Sequence, residues 1–111
     1  MTDAEPAELQ RAVDRLVGRV AHWTPVRWTK PASDEGASRA ERVHELVQRL
    51  ADAAADAEGA PRRPVPRLDN DLALPDQLRV VTADVRNACA ARPDVLADLA
   101  SAVRATSNAL D

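Results

Sequence analysis

The sequence predicts an all-α fold: a small four-helix bundle-like domain with a long tryptophan-containing connector and a proline-rich arm. Three observations predict it. The apolar residues include no Ile, Phe or Tyr, and Ala supplies nearly half of them. The core is therefore built from Leu, Val and Ala, which suits closely approaching helices better than a sheet. Four segments carry apolar residues three and four apart, the period of a helix with one buried stripe. Strict apolar/polar alternation is confined to stretches such as 65–68, too short and too proline-rich for a sheet, so essentially no strand is expected. A chain of 111 residues has room for one domain, taken here as residues 1–111.

The first helix is expected over 4–23. Leu9, Val13, Leu16, Val17, Val20 and Trp23 form its stripe, and Asp3 is placed to cap it ahead of Glu5 and Pro6. Residues 24–37 form a connector, because Pro25, Pro31 and Gly36 forbid a continuous helix. The second helix, over 38–59, opens on a capping box, Ser38-Arg39-Ala40-Glu41. Its stripe is Val43, Leu46, Val47, Leu50, Ala54 and Ala57, and Gly59 followed by Pro61 ends it. Between residues 34 and 60, seven acids face three arginines, so the outer face of this helix is expected to be wet and acidic.

Residues 60–74 start with three prolines in six positions, 61 to 66, and favour polyproline II. This stiff arm is expected to lie across the bundle through Leu68, Leu72 and Leu74. Pro75 opens the third helix, over 75–91, with Leu78, Val81, Val85 and Cys89 in phase. Pro93 ends it and starts the fourth, over 93–110, with Val95, Leu96, Leu99, Val103 and Thr106 on one side and Leu110 near a frayed end. An up-and-down order of the four helices is expected, with a sharp corner at Arg92-Pro93.

Composition excludes several classes of function. The net charge is −3 and Lys30 is the only lysine, so no basic face for nucleic acid is expected. No apolar run approaches the ~18 residues of a membrane span, and the acidic start, Met1-Thr2-Asp3-Ala4-Glu5, is unlike a signal peptide. A cytoplasmic protein is expected. Its single cysteine, Cys89, rules out an internal disulfide and fits a reducing compartment. The Arg-for-Lys and Ala-rich bias is a weak hint of a bacterial source.

No constellation of residues completes a catalytic or metal-binding motif. His44-Glu45-Leu46-Val47-Gln48 starts like a zinc-protease helix, but the second histidine is replaced by Gln48. Glu41-x-x-His44 matches one element of a di-iron bundle, and no second copy exists. Asp52 with Asp56 and Asp94 with Asp98 pair carboxylates one turn apart, as solvated helix faces often do. Cys89 lies on an apolar stripe, where a thiol is inert. With Gly18, Gly36 and Gly59 as its only glycines, the chain has no phosphate-binding loop. No catalytic residue, metal site or cofactor is expected.

Two stretches point to contacts with another protein or with a second copy of the chain. His22-Trp23-Thr24-Pro25-Val26-Arg27-Trp28 holds both tryptophans, the only aromatic residues present, and Trp beside Arg is a pairing enriched at interface hot spots. Trp23 continues the first stripe and is expected in the core. Trp28, on the connector beside Arg27, is expected to be a contact residue. Arg62 and Arg63 open the proline-rich arm, either as part of a recognition segment or as linker residues paired to acids of the second helix. The Trp-x-Gly turn of small secreted helical-hairpin proteins is absent, since Trp23-Thr24-Pro25 has no glycine. The expected function is therefore a non-enzymatic helical interaction module, as a homodimer or a subunit of a larger assembly. A ligand- or metal-binding accessory domain using Glu41, His44 and Glu45 is the alternative.

Overall fold

The computed structural model describes residues 4–33 and 36–110. It contains helices α1 (Ala4–Val20), α2 (Pro25–Thr29), α3 (Arg39–Glu58), α4 (Leu74–Ala88) and α5 (Pro93–Ala109), with a 3-10 turn at Asp71–Ala73 ahead of α4. No strand occurs among the described residues, only an isolated bridge between Pro31 and Ser38. The cap expected at Asp3 lies outside the described residues.

The stripes fall where the spacing puts them. Leu9, Val13, Leu16, Val17, Val20 and Trp23 are buried, as are Val43, Leu46, Val47, Leu50 and Ala54, and Leu78, Val81, Val85 and Cys89. Ala57, counted on the α3 stripe, is exposed. The boundaries of α3 follow its caps. Ser38 Oγ accepts the Glu41 amide at 3.1 Å, and Gly59 stops the helix in the left-handed region at φ 68°, where a side chain is disfavoured. Ser38→Ala is expected to lower unfolding stability by about 1 kcal/mol, and a denaturant midpoint equal to that of the wild type would mean that the cap contributes nothing.

Two expectations about the chain path are corrected. The first helix ends at Val20, before Trp23, and the connector holds a helix of its own, α2. Pro25 does not break that helix but starts it. Thr24 is the N-cap, its Oγ1 accepting the Arg27 amide at 3.2 Å, and Pro25 takes a first-turn position, where its missing N–H is no loss.

The helices also run in a different order of directions from the one expected. The proline-rich arm runs back along α3: Arg62 pairs with Asp56 and Asp52, the Arg63 carbonyl and Val65 amide meet Gln48, and the Val65 carbonyl meets His44. Arm numbers rise while α3 numbers fall. Eleven residues, 60–70, can span up to roughly 34 Å when extended, and the 20 residues of α3 rise about 30 Å. The arm therefore recrosses the whole bundle, so α4 starts beside the start of α3 and runs parallel to it. The sharp corner after Cys89 then returns α5 antiparallel to both, as Arg49–Asp98 at 3.3 Å shows. α1 runs with α5, through Glu8–Arg104 at 3.1 Å and Arg19 to the Ser107 carbonyl at 2.7 Å. The order is up, down, down, up rather than simple alternation.

Leu110, expected at a frayed end, is fully buried. The last carbonyls of α5 have donors from three distant segments: Arg19 to Ser107, Ser33 amide to Ala109 at 2.7 Å, and Arg39 Nε to Leu110 at 2.9 Å. These satisfy acceptors that a helix terminus otherwise leaves open, and two of the donors are cations at a negative dipole end.

Candidate functional site

The end of the bundle where α1 and α5 finish and α3 and α4 begin carries most of the residues singled out by the sequence. Trp23 and Trp28 meet there edge to face, ring centroids 5.0 Å apart at 68°. The guanidinium groups of Arg27 and Arg39 each lie 5.0 Å from the Trp23 ring centroid, within cation–π range. Trp23 is buried, as expected.

Trp28 is not a contact residue. It has no exposed surface and cannot offer its ring to a partner. The physical reason is the local helix: α2 places Trp28 on its inner face, where it plugs an end that Val and Ala are too small to fill. What α2 presents outward is Arg27 and Val26, the latter 68 % exposed.

The 3-10 turn packs beside α2. It adds Leu72, 44 % exposed, and Leu68, just ahead of it, is 46 % exposed. Both were expected to lie on the bundle; of the three arm leucines only Leu74 is buried. The arm instead docks through Val65, which is half-buried against the core. Three apolar side chains thus face solvent at one end of the molecule. Sequence pattern alone misses them, because the arm has no helical period to say which leucine turns inward.

The two arm arginines separate. Arg62 makes two hydrogen bonds to Asp56, at 3.0 and 2.7 Å, with Asp52 at 3.9 Å. This is the linker arrangement. The hydrogen bond from Arg62 holds the Asp56 carboxyl below its ordinary range, and Asp56 raises Arg62 in turn. The pair's contribution is present at neutral pH and is lost as pH falls through the lowered Asp56 value. Arg63 is exposed and contributes its backbone carbonyl to Gln48.

Gln48 and His44 clasp the arm. The Gln48 amide donates to the Arg63 carbonyl at 3.0 Å and accepts from the Val65 amide at 2.7 Å, and His44 Nε2 donates to the Val65 carbonyl at 2.9 Å. His44 is therefore protonated at Nε2 and occupied by the chain's own backbone. No group of three or more His, Cys, Asp or Glu residues suited to a metal occurs among the described residues. Gln48→Ala removes both Gln48 hydrogen bonds to the arm and leaves that of His44. It is expected to speed hydrogen exchange at the Val65 amide by about tenfold, the equivalent of ~1.4 kcal/mol; unchanged exchange would show that Val65 packing and the His44 bond hold the arm without Gln48.

Burial raises the Cys89 thiol, which keeps it protonated and unreactive at neutral pH. Asp94 is lowered by its hydrogen bond from Arg92, a surface pair at the start of α5. No described helix is long and apolar enough to cross a membrane. Comparison of the chain with protein-family models, with curated proteins and with solved structures finds no match.

Proposed function

We propose that this protein is a non-enzymatic helical interaction module that pairs with a second copy of itself through the end formed by α2 and the 3-10 turn. The observation that carries this reading is the exposure of Val26, Leu68 and Leu72 at an end whose core is already sealed by Trp28. These side chains are not left out for lack of room in the core. An apolar patch with a mixed-charge rim is the usual make-up of a contact surface. Exposed Lys30 and Asp69 lie on the two segments of the patch. Across a two-fold axis each can face the other's counterpart, the self-complementarity that an isologous dimer needs.

A patch of three side chains supports a small interface, so association in the micromolar range is expected. Sedimentation velocity over a concentration series tests it. The wild type is expected to shift from monomer to dimer, and Val26→Asp or Leu72→Asp to remain monomeric. Val80→Asp, at a 61 % exposed position in the middle of α4, is expected to behave as the wild type. A wild type that stays monomeric at every concentration, or dimerisation untouched by both aspartates, would overturn the reading.

A further inference from the structure

Most of the surface of the proline-rich arm has no part in holding the fold. Residues 60–68 form no helix and no strand. Their side-chain contacts with α3 come three residues apart: Arg62 on Asp52 and Asp56, then Val65, whose backbone meets Gln48 and His44. Three residues per turn is the period of polyproline II, which gives the arm three edges. Arg62 and Val65 make the edge that meets α3. Ala60, Arg63 and Pro66 make the second edge, and Pro61, Pro64 and Arg67 the third. Every residue of the second and third edges is exposed.

That division suits recognition from outside. Polyproline II segments of the Pro-x-x-Pro type dock into grooves lined by aromatic side chains, and Pro61-Arg62-Arg63-Pro64 has that spacing. Its two pairs, Ala60-Pro61 and Arg63-Pro64, present the same two edges because they stand one turn apart. Arg62, the residue between the pairs, is the one turned to α3. The carbonyls of Pro61 and Pro64 accept from no described residue and are open to a partner's donors. The arm is also held in place beforehand. Gln48 and His44 bind its backbone at 63 and 65, and Gln77 Nε2 donates to the Pro66 carbonyl at 3.1 Å. A ligand ordered in advance loses less freedom on binding.

We infer that this ridge is the ligand for a groove on another protein, lined by aromatic side chains and rimmed by acids. Charge complementarity sets the rim. Arg63 is exposed, and its side chain has no partner among the described residues. Arg67, paired with Asp71 at 3.0 Å, keeps its side chain 40 % exposed. A second copy of this chain cannot supply the groove, because its two aromatic residues, Trp23 and Trp28, are both buried. The ridge lies along α3, ahead of Leu68, and its binding does not depend on the pairing of copies.

The test is a titration of the labelled protein with a purified WW domain, a small module with such a groove, chosen for acidic residues on its rim. Amide chemical shifts follow the binding. Saturable shifts are expected at Arg62, Arg63, Val65 and Arg67, and none when the groove tryptophan of the WW domain is replaced by alanine. Pro61→Ala with Pro64→Ala is expected to weaken binding about tenfold while leaving the circular dichroism spectrum intact. Arg62→Ala, on the covered edge, is expected to bind as the wild type does. The inference is overturned if the WW domain at millimolar concentration gives no saturable shift, or if its tryptophan variant binds equally well. It is also overturned if the double proline variant binds as the wild type does, or if Arg62→Ala weakens binding as much as that variant.

Discussion

Replacing Trp28 by Ala is expected to cost about 3–5 kcal/mol of unfolding stability, the range of a large aromatic removed from a core. For the smallest helix in the molecule, that loss is decisive. Helix α2 has five residues, too few to hold itself together in water, and Trp28 is its one buried side chain. Losing the indole leaves a cavity at the end of the bundle and removes what keeps α2 in place. Trp23→Ala is expected to fall in the same range, and the pair to show a coupling of about 1 kcal/mol from their edge-to-face contact. Equilibrium denaturation of the two single variants and the double variant measures all three quantities. A Trp28→Ala protein as stable as the wild type would show that the ring is not core.

Arg39→Met is expected to cost about 2–3 kcal/mol, judged from one good charge-assisted hydrogen bond and one cation–π contact. Its Nε donates to the Leu110 carbonyl at 2.9 Å, an Nη approaches the Arg27 carbonyl at 3.4 Å, and its guanidinium lies over Trp23. One side chain therefore joins the first turn of α3, the end of α2 and the end of α5. Methionine keeps the apolar stem, so the loss reads the polar head alone. Hydrogen exchange should show where the damage falls: the amides of α2 and the last turn of α5 are expected to exchange faster, and the middle of α3 to be unchanged. Uniform acceleration over all helices would mean that Arg39 supports global stability rather than this junction.

The parts of the fold legible in the sequence are those set by local rules. The period of three and four residues located the four long helices, and Ser38 and Gly59 fixed both ends of α3 because each cap acts within a few residues of itself. What escaped depends on distant segments. Leu110 looked like a fraying end, yet its carbonyl is taken by Arg39, 71 positions away. The parallel course of α3 and α4 follows from where the arm docks, which Gln48 and His44 decide by binding its backbone, and backbone contacts leave no trace in side-chain pattern. Trp28 was legible in principle. Thr24-Pro25 is a helix start as well as a break, and reading it so puts residue 28 on the inward side of a single turn.

The same distinction governs the site. Arg62 was placed correctly only as a linker residue, and the hot-spot reading of Trp28 failed once α2 formed. Val26, Leu68 and Leu72 stand out only once the core is complete and they are seen to lie outside it. Their exposure is a property of the assembled end and of no single segment.

The most direct test of pairing through that end is an isotope-filtered nuclear Overhauser experiment on a mixture of labelled and unlabelled chains. At millimolar concentration, intermolecular cross-peaks are expected among the methyl groups of Val26, Leu68 and Leu72, and they should vanish in the Leu72→Asp variant. Intermolecular peaks located elsewhere, or none at that concentration, would contradict the account.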